Sequence, residues 1–191
     1  MPITLVYETH STTLDNEAGI ATGWLPGELS EEGLRQAVAL GQRRRDDGID
    51  LVVTSDLARA VDTTRVALGD SRIPIRQDSR LRECNYGDLN GSPVEQLRPR
   101  AAYISSPFPL GESYEGVVQR TADLLEELAA TVRDGSRVLL VSHWRIAGRW
   151  PSSWTGWLWR RRLMRRSCRA RAGSTPCRLA GQDESQTDTI G

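Results

Sequence analysis

Only two histidines occur in the 191 residues, and each closes an apolar, strand-like run. His10 follows Ile3-Thr4-Leu5-Val6-Tyr7-Glu8-Thr9, and His143 follows Arg137-Val138-Leu139-Leu140-Val141-Ser142. A neutral imidazole has a nitrogen lone pair near pH 7 and becomes a proton donor when charged, so it suits nucleophilic attack and proton transfer. In an open α/β sheet, ligands bind just beyond the carboxyl ends of the strands. Two imidazoles at two such ends can therefore share one pocket despite their distance in sequence. Taken alone, their positions fit two unrelated strand-end histidines equally well; the residues around them separate the two readings.

Four segments, in order, resemble the histidine phosphatase superfamily, also called the phosphoglycerate mutase-like family. Its opening motif is Arg-His-Gly-x-Thr-x-x-Asn, and here Thr9-His10-Ser11-Thr12-Thr13-Leu14-Asp15-Asn16 matches at the His, Thr and Asn. Ser55-Asp56-Leu57-Ala58-Arg59-Ala60-Val61-Asp62-Thr63 matches the Ser-x-Leu-x-Arg-Ala-x-x-Thr signature completely. Leu81-Arg82-Glu83-Cys84-Asn85-Tyr86-Gly87 fits Leu-x-Glu-x-x-aromatic-Gly, and Val141-Ser142-His143 supplies the second histidine. Gly23-Trp24, Leu29-Ser30-Glu31-Glu32-Gly33 and Gly111-Glu112-Ser113 also fit. The resemblance covers residues 3–143 and implies a metal-independent phosphomonoesterase with no cofactor. A mutase of the same family is the alternative, as is a catalytically impaired member.

The residue types suit that chemistry. His10 is the candidate nucleophile. Arg59 offers a planar fork for phosphate oxygens, backed by the free N–H groups of a helix start. His143, protonated, can donate to the same phosphate. Glu83 suits protonation of the leaving oxygen, its proton retained by burial and by the neighbouring phosphate charge. Ser11, Thr13 and Asn16 are candidate substrate-binding residues. Each has a plainer reading: a solvated helix charge for Arg59, a loop carboxylate for Glu83, turn residues for Thr13 and Asn16. No metal is called for. A small phosphorylated metabolite is the expected partner, its identity set by loops such as residues 91–110.

Two departures from the pattern stand out. The family's phosphate-gripping Arg before the nucleophile is Thr9 here, and losing one charge-assisted contact weakens binding by roughly 1.5–3 kcal/mol. Activity is therefore expected to be weak. Arg80 or Arg82, beside Glu83, are candidates to substitute. Ser11 replaces Gly and adds a hydroxyl within reach of a phosphate.

The elements needed to position these groups alternate in type. Strands are expected over residues 3–9, 49–54 and 137–142, with a short edge strand at 73–75. Ser30 caps a helix running to about residue 47, ended by Gly48. A second helix runs from about residue 56 to 68. Ser113 caps a long one with Val117, Val118, Leu124, Leu125, Leu128 and Val132 on one face. Strands spaced this way predict an α/β fold: a three-layer, mostly parallel sheet with helices on both faces.

Composition divides the chain after His143. Residues 1–143 carry 15 arginines and 22 acidic residues, a formal charge of −7; residues 144–191 carry 10 arginines and 3 acidic residues, +7. Five of the 6 tryptophans lie in residues 144–159, and lysine is absent. The chain reads as a histidine phosphatase-like domain, 1–143, incomplete at its C-terminal side, and an aberrant basic Trp/Arg-rich tail, 144–191. In the neighbouring reading frame, with GC-rich codons, the tail yields Ala-Asn-Arg-Trp-Ala-Leu-Ala, a helix start, so one lost nucleotide after codon 143 accounts for it. The alternative is a genuine tail that binds nucleic acid through phosphates and stacked bases, a disfavoured partner. An out-of-frame tail would leave the sheet face beside residues 138–141 without cover. Cys84, Cys168 and Cys177 form no disulfide or zinc pattern. No apolar run reaches membrane-span length and no signal pattern opens the chain, so a cytoplasmic location is expected and a membrane partner is not. Nothing in the chain fixes an oligomeric state.

Overall fold

The computed structural model describes residues 2–143. Four strands form its central sheet: β1 (Thr4–Thr9), β3 (Leu51–Thr54), β4 (Ile75–Gln77) and β6 (Arg137–Ser142), in the order β1-β6-β3-β4. Every neighbouring pair is parallel. All four carboxyl ends therefore emerge on one edge, with β6 between β1 and β3.

Three helices cover the sheet. α2 (Glu31–Arg44) starts at Ser30, whose hydroxyl accepts from Gly33 N–H; Glu31 and Glu32 lie at the positive end of its dipole, Arg43 and Arg44 at the negative end. α3 (Ala58–Leu68) packs beside it. Leu40, Ala60 and Leu68 meet Val6, Val52, Leu139 and Val141 from the sheet. On the opposite face α4 (Tyr114–Thr131), capped by Ser113, brings Val118, Leu124, Leu125 and Leu128 against Val53, Val138 and Leu140. Alternate residues of β6 thus face opposite helical layers, as the period of a strand requires. This overturns the expected bare face beside residues 138–141: Leu140 is 5% exposed and Val138, Leu139 and Val141 are fully buried. A central strand gets its cover from α2, α3 and α4, all encoded before His143.

Element boundaries shift for local reasons. β4 begins at Ile75, not residue 73, because Pro74 has no N–H; its carbonyl still accepts from Val52. α3 begins at Ala58, two residues later than expected, because the Ser55 hydroxyl takes the Leu57 N–H and Asp56 is held by Arg82. α2 stops at Arg44, and Gly48 at φ +65° makes the left-handed turn toward β3.

The sequence did not announce a third cluster. A short helix, α1 (Leu14–Glu17), leads to β2 (Ile20–Ala21), which pairs antiparallel with β5 (Ser92–Pro93). Beneath this ribbon Phe108 meets the rings of Tyr86, Tyr103 and Tyr114 at centroid distances of 5.2, 3.8 and 5.6 Å. Cys84, buried and in no disulfide, and Leu97 join them. The loop over residues 91–110 is therefore packed on an aromatic core that it shares with Tyr86 and Tyr114. Among the described residues no helix is long and apolar enough to cross a membrane. The out-of-frame reading of residues 144–191, with Cys168 and Cys177, lies outside the described residues.

Candidate active site

Parallel pairing sets Thr9 opposite Ser142, and the His10 N–H donates to the Ser142 carbonyl at 2.8 Å. The two histidines that follow are thereby level. Their ring centroids lie 5.0 Å apart at 56°. His10 Nδ1 is 2.7 Å from the Ser11 carbonyl oxygen. A carbonyl only accepts, so Nδ1 carries the proton and the Nε2 lone pair is left for attack. Burial and the Arg59 charge lower the His10 pKa to about 4, against a smaller opposing effect of the Ser11 hydrogen bond, so the ring is neutral at pH 7.

His143 is fully buried. Its Nε2 lies 3.0 Å from the Ser55 hydroxyl, and the Tyr7 hydroxyl donates to its carbonyl. Its Nδ1 has no hydrogen-bond partner among the described residues. A buried polar atom without a partner costs free energy until something binds it. Burial, then the neighbouring His10, Arg59 and Arg120, hold the His143 pKa well below its ordinary value. A bound anion would favour the charged forms of both rings.

Arg59, in the first turn of α3, is 2% exposed. Its guanidinium donates to the Gly23 carbonyl at 2.8 Å and the Leu25 carbonyl at 3.3 Å. Desolvation lowers its pKa; Glu83, Tyr86 and Asp15 oppose that. The arginine thus belongs to the same electrostatic neighbourhood as His10, His143 and Glu83.

The nucleophile loop is tied down from two helices. Ser11 N–H donates to the Thr63 hydroxyl at 3.0 Å, and Thr12 N–H to Gln36 Oε1 at 3.0 Å. Ser11 is buried beside His10. Thr13 is fully buried and its hydroxyl caps α1 by accepting from Asn16 N–H, while Asn16 Oδ1 accepts from Thr13 N–H. Thr13 is placed to shape the loop, whereas Asn16 is exposed.

Glu83 follows a 3₁₀ turn after β4 and is partly exposed. Its Oε1 accepts from Cys84 N–H at 2.8 Å, and its backbone carbonyl accepts from Trp24 Nε1 at 2.8 Å. Trp24 thereby joins the Glu83 loop to the turn whose Gly23 and Leu25 carbonyls hold Arg59. Neither expected substitute for the missing Arg at position 9 is available. Arg80 is bound to Asp78 and Glu127 at 2.7 and 2.6 Å. Arg82 forks onto Asp56 at 2.7 and 2.6 Å and lies over the Trp24 ring. Sequence reasoning missed the positioning parts: Ser55 and Thr63 lay within a quoted motif without a role, while Gln36 and Arg120 carried no signal.

A family model described as histidine phosphatase superfamily, branch 1, matches residues 9–160. A 2,3-bisphosphoglycerate-dependent phosphoglycerate mutase from Parvibaculum lavamentivorans is 33% identical over 159 residues, covering 75% of each chain. A mycobacterial glucosyl-3-phosphoglycerate phosphatase, solved with VO3, superposes with a TM-score of 0.67 at 33% identity, covering 75% of this chain and 77% of that one. Bacillus stearothermophilus YhfR superposes with a TM-score of 0.67 at 30% identity over 76% of each chain. With the paired histidines just beyond the ends of adjacent parallel strands, these matches make the chain a member of the histidine phosphatase superfamily.

Proposed function

We propose that the protein is a metal-independent phosphomonoesterase that hydrolyses a small phosphorylated metabolite through a phosphohistidine. The observation that carries this reading is His10: its Nδ1–H is fixed on the Ser11 carbonyl and its neutral Nε2 stands beside His143. Nε2 attacks phosphorus, the bond to the ester oxygen breaks, and that oxygen takes the Glu83 proton. Water then attacks phosphorus while the Glu83 carboxylate takes its proton. The P–N bond breaks and its electrons return to Nε2. Arg59 and His143 hold the phosphoryl oxygens, with Asn16 and Ser11 contributing polar contacts. Charge-assisted hydrogen bonds of this kind supply the stabilisation that phosphoryl transfer requires.

Hydrolysis is favoured over a mutase reaction on phosphoglycerate, because a mutase must also hold its substrate's carboxylate. Arg80, Arg82 and Arg120, the arginines around the Glu83 loop, are each bound to a protein carboxylate already. No long insertion follows Glu83. The test is product analysis on a panel of phosphomonoesters. One inorganic phosphate per ester consumed supports hydrolysis; an isomerised ester makes the protein a mutase. His10→Ala must stop either reaction, and persistent turnover contradicts the mechanism. The out-of-frame origin of residues 144–191 stands as a separate proposal, tested by resequencing around codon 143.

A further inference from the structure

The backbone carbonyls of Arg80, Leu81 and Glu83 each accept a hydrogen bond from a side chain distant in sequence. Arg120, on α4, donates from Nη1 to the Arg80 carbonyl at 2.7 Å and from Nη2 to the Glu83 carbonyl at 2.9 Å. Ser142, at the end of β6, donates to the Leu81 carbonyl at 2.7 Å. Arg120 is itself gripped by both oxygens of Glu112, at 3.0 and 3.1 Å. Glu112 completes a closed circuit: its Oε2 accepts from Asn85 N–H at 2.9 Å, and its N–H donates to the Asn85 carbonyl at 2.9 Å. The Arg120 and Glu112 side chains are only 17% and 23% exposed, so the pair is shielded from water.

We propose that the Arg120–Glu112 pair is a clamp that positions Glu83 for proton transfer to the leaving oxygen. This rests on the reading of Glu83 as the acid. Arg120 fixes the backbone on both sides of the carboxylate through the carbonyls of residues 80 and 83, and Glu112 fixes residue 85 beyond it. The stretch that carries the acid is thus held at three points by one ion pair. Neither member of the pair is assigned a contact with the phosphoryl group; Arg120 reaches His143 only through its charge, which Arg120→Lys retains. A donor displaced by a fraction of an ångström loses its alignment with the leaving oxygen, while a nucleophile held by β1 and β6 does not move.

That division gives a readout that a merely stabilising ion pair would not move. A leaving group that departs readily as an anion needs no proton, whereas an alkoxide does. The ratio of kcat/KM on 2-phenylethyl phosphate to kcat/KM on 4-nitrophenyl phosphate isolates the acid, since kcat/KM covers only steps through departure of the leaving group. General acid catalysis contributes about 10²–10⁴-fold. Arg120→Lys and Glu112→Gln should lower the ratio by about tenfold or more, with 4-nitrophenyl phosphate kcat/KM changed less than about threefold. Glu112→Gln, which keeps the side-chain shape, carries the test should Arg120→Lys not fold. Equal losses on both esters, or an unchanged ratio, overturn the clamp provided that Glu83→Gln collapses the ratio. If Glu83→Gln itself leaves the ratio unchanged, the acid assignment fails and the clamp fails with it.

Discussion

The two halves of the site are held by different means. The histidine half is fixed by backbone register: β1 and β6 pair residue by residue through Thr9 and Ser142, so His10 and His143 emerge side by side. The acid half sits on irregular chain after β4, and its carbonyls are captured from a distance by Trp24, Arg120 and Ser142. Backbone pairing makes the first half insensitive to most side-chain changes around it. The second depends on single side chains far away in sequence. Damage to the clamp should therefore slow one kind of ester, whereas damage to the histidine loop should slow every substrate alike.

The largest effect is expected at the nucleophile. His10→Ala should lower turnover of all phosphomonoesters by about 10⁴-fold or more, since no other step can start without the covalent bond. Comparing several esters in steady state checks this; a loss that depends on the leaving group would place His10 in the acid half instead. Thr9→Arg should sharpen the same half in the opposite direction. A donor restored beside the phosphate is worth roughly 1.5–3 kcal/mol, an increase of about 10–100-fold in kcat/KM shared by aryl and alkyl esters. Unchanged kinetics would mean that another group already fills the role, although Arg80 and Arg82 are held elsewhere.

The histidine half is also sensitive to pH. An unfolded histidine takes its proton near pH 6.5, whereas folded His10 resists it down to about 4. Between those values the unfolded chain binds more protons, so stability falls as pH falls through the window. The loss reaches about 3 kcal/mol for His10 alone, with His143 adding in the same direction. Chemical denaturation between pH 4 and 7.5 measures it, and His10→Asn should flatten the slope. Inorganic phosphate should partly restore stability at low pH by favouring the charged rings. A pH-independent midpoint would contradict the neutral state of the pair.

A smaller effect is expected from the tether of the nucleophile loop. Thr63→Val removes the acceptor for the buried Ser11 N–H and should cost about 1–3 kcal/mol of stability. The ratio between alkyl and aryl esters should stay constant, because the acid half is untouched. A changed ratio would show that the halves are coupled through residue 63.

The same contrast explains what the sequence made legible. Strand-end histidines, the Ser30 and Ser113 caps and the apolar face of α4 follow from local pattern and from periodicity, so the sheet was readable; the meeting of His10 with His143 needed the four matched segments as well. The resemblance supplied Arg59 and Glu83. The roles of Arg120 and Gln36 were not readable, because a charged or polar residue on a helix looks the same in sequence whether it faces water or clamps a distant loop. The aromatic cluster around Phe108 was missed for a related reason: residues 91–110 have no periodicity, and their packing depends on Tyr86 and Tyr114 outside the loop. The expected bare face at β6 failed because strand order, which sequence does not state, puts that strand in the middle of the sheet.

The most direct test of the central claim is to map the covalent intermediate. Rapid mixing with a phosphomonoester, quenching without acid, and peptide mass spectrometry should place phosphate on His10, on Nε2, in an acid-labile and alkali-stable linkage. His10→Ala should carry no label, while Glu83→Gln should accumulate it from an aryl ester, because water can no longer be activated. Phosphate found on another residue, or rapid turnover with no phosphorylated His10 at any time, would contradict the account.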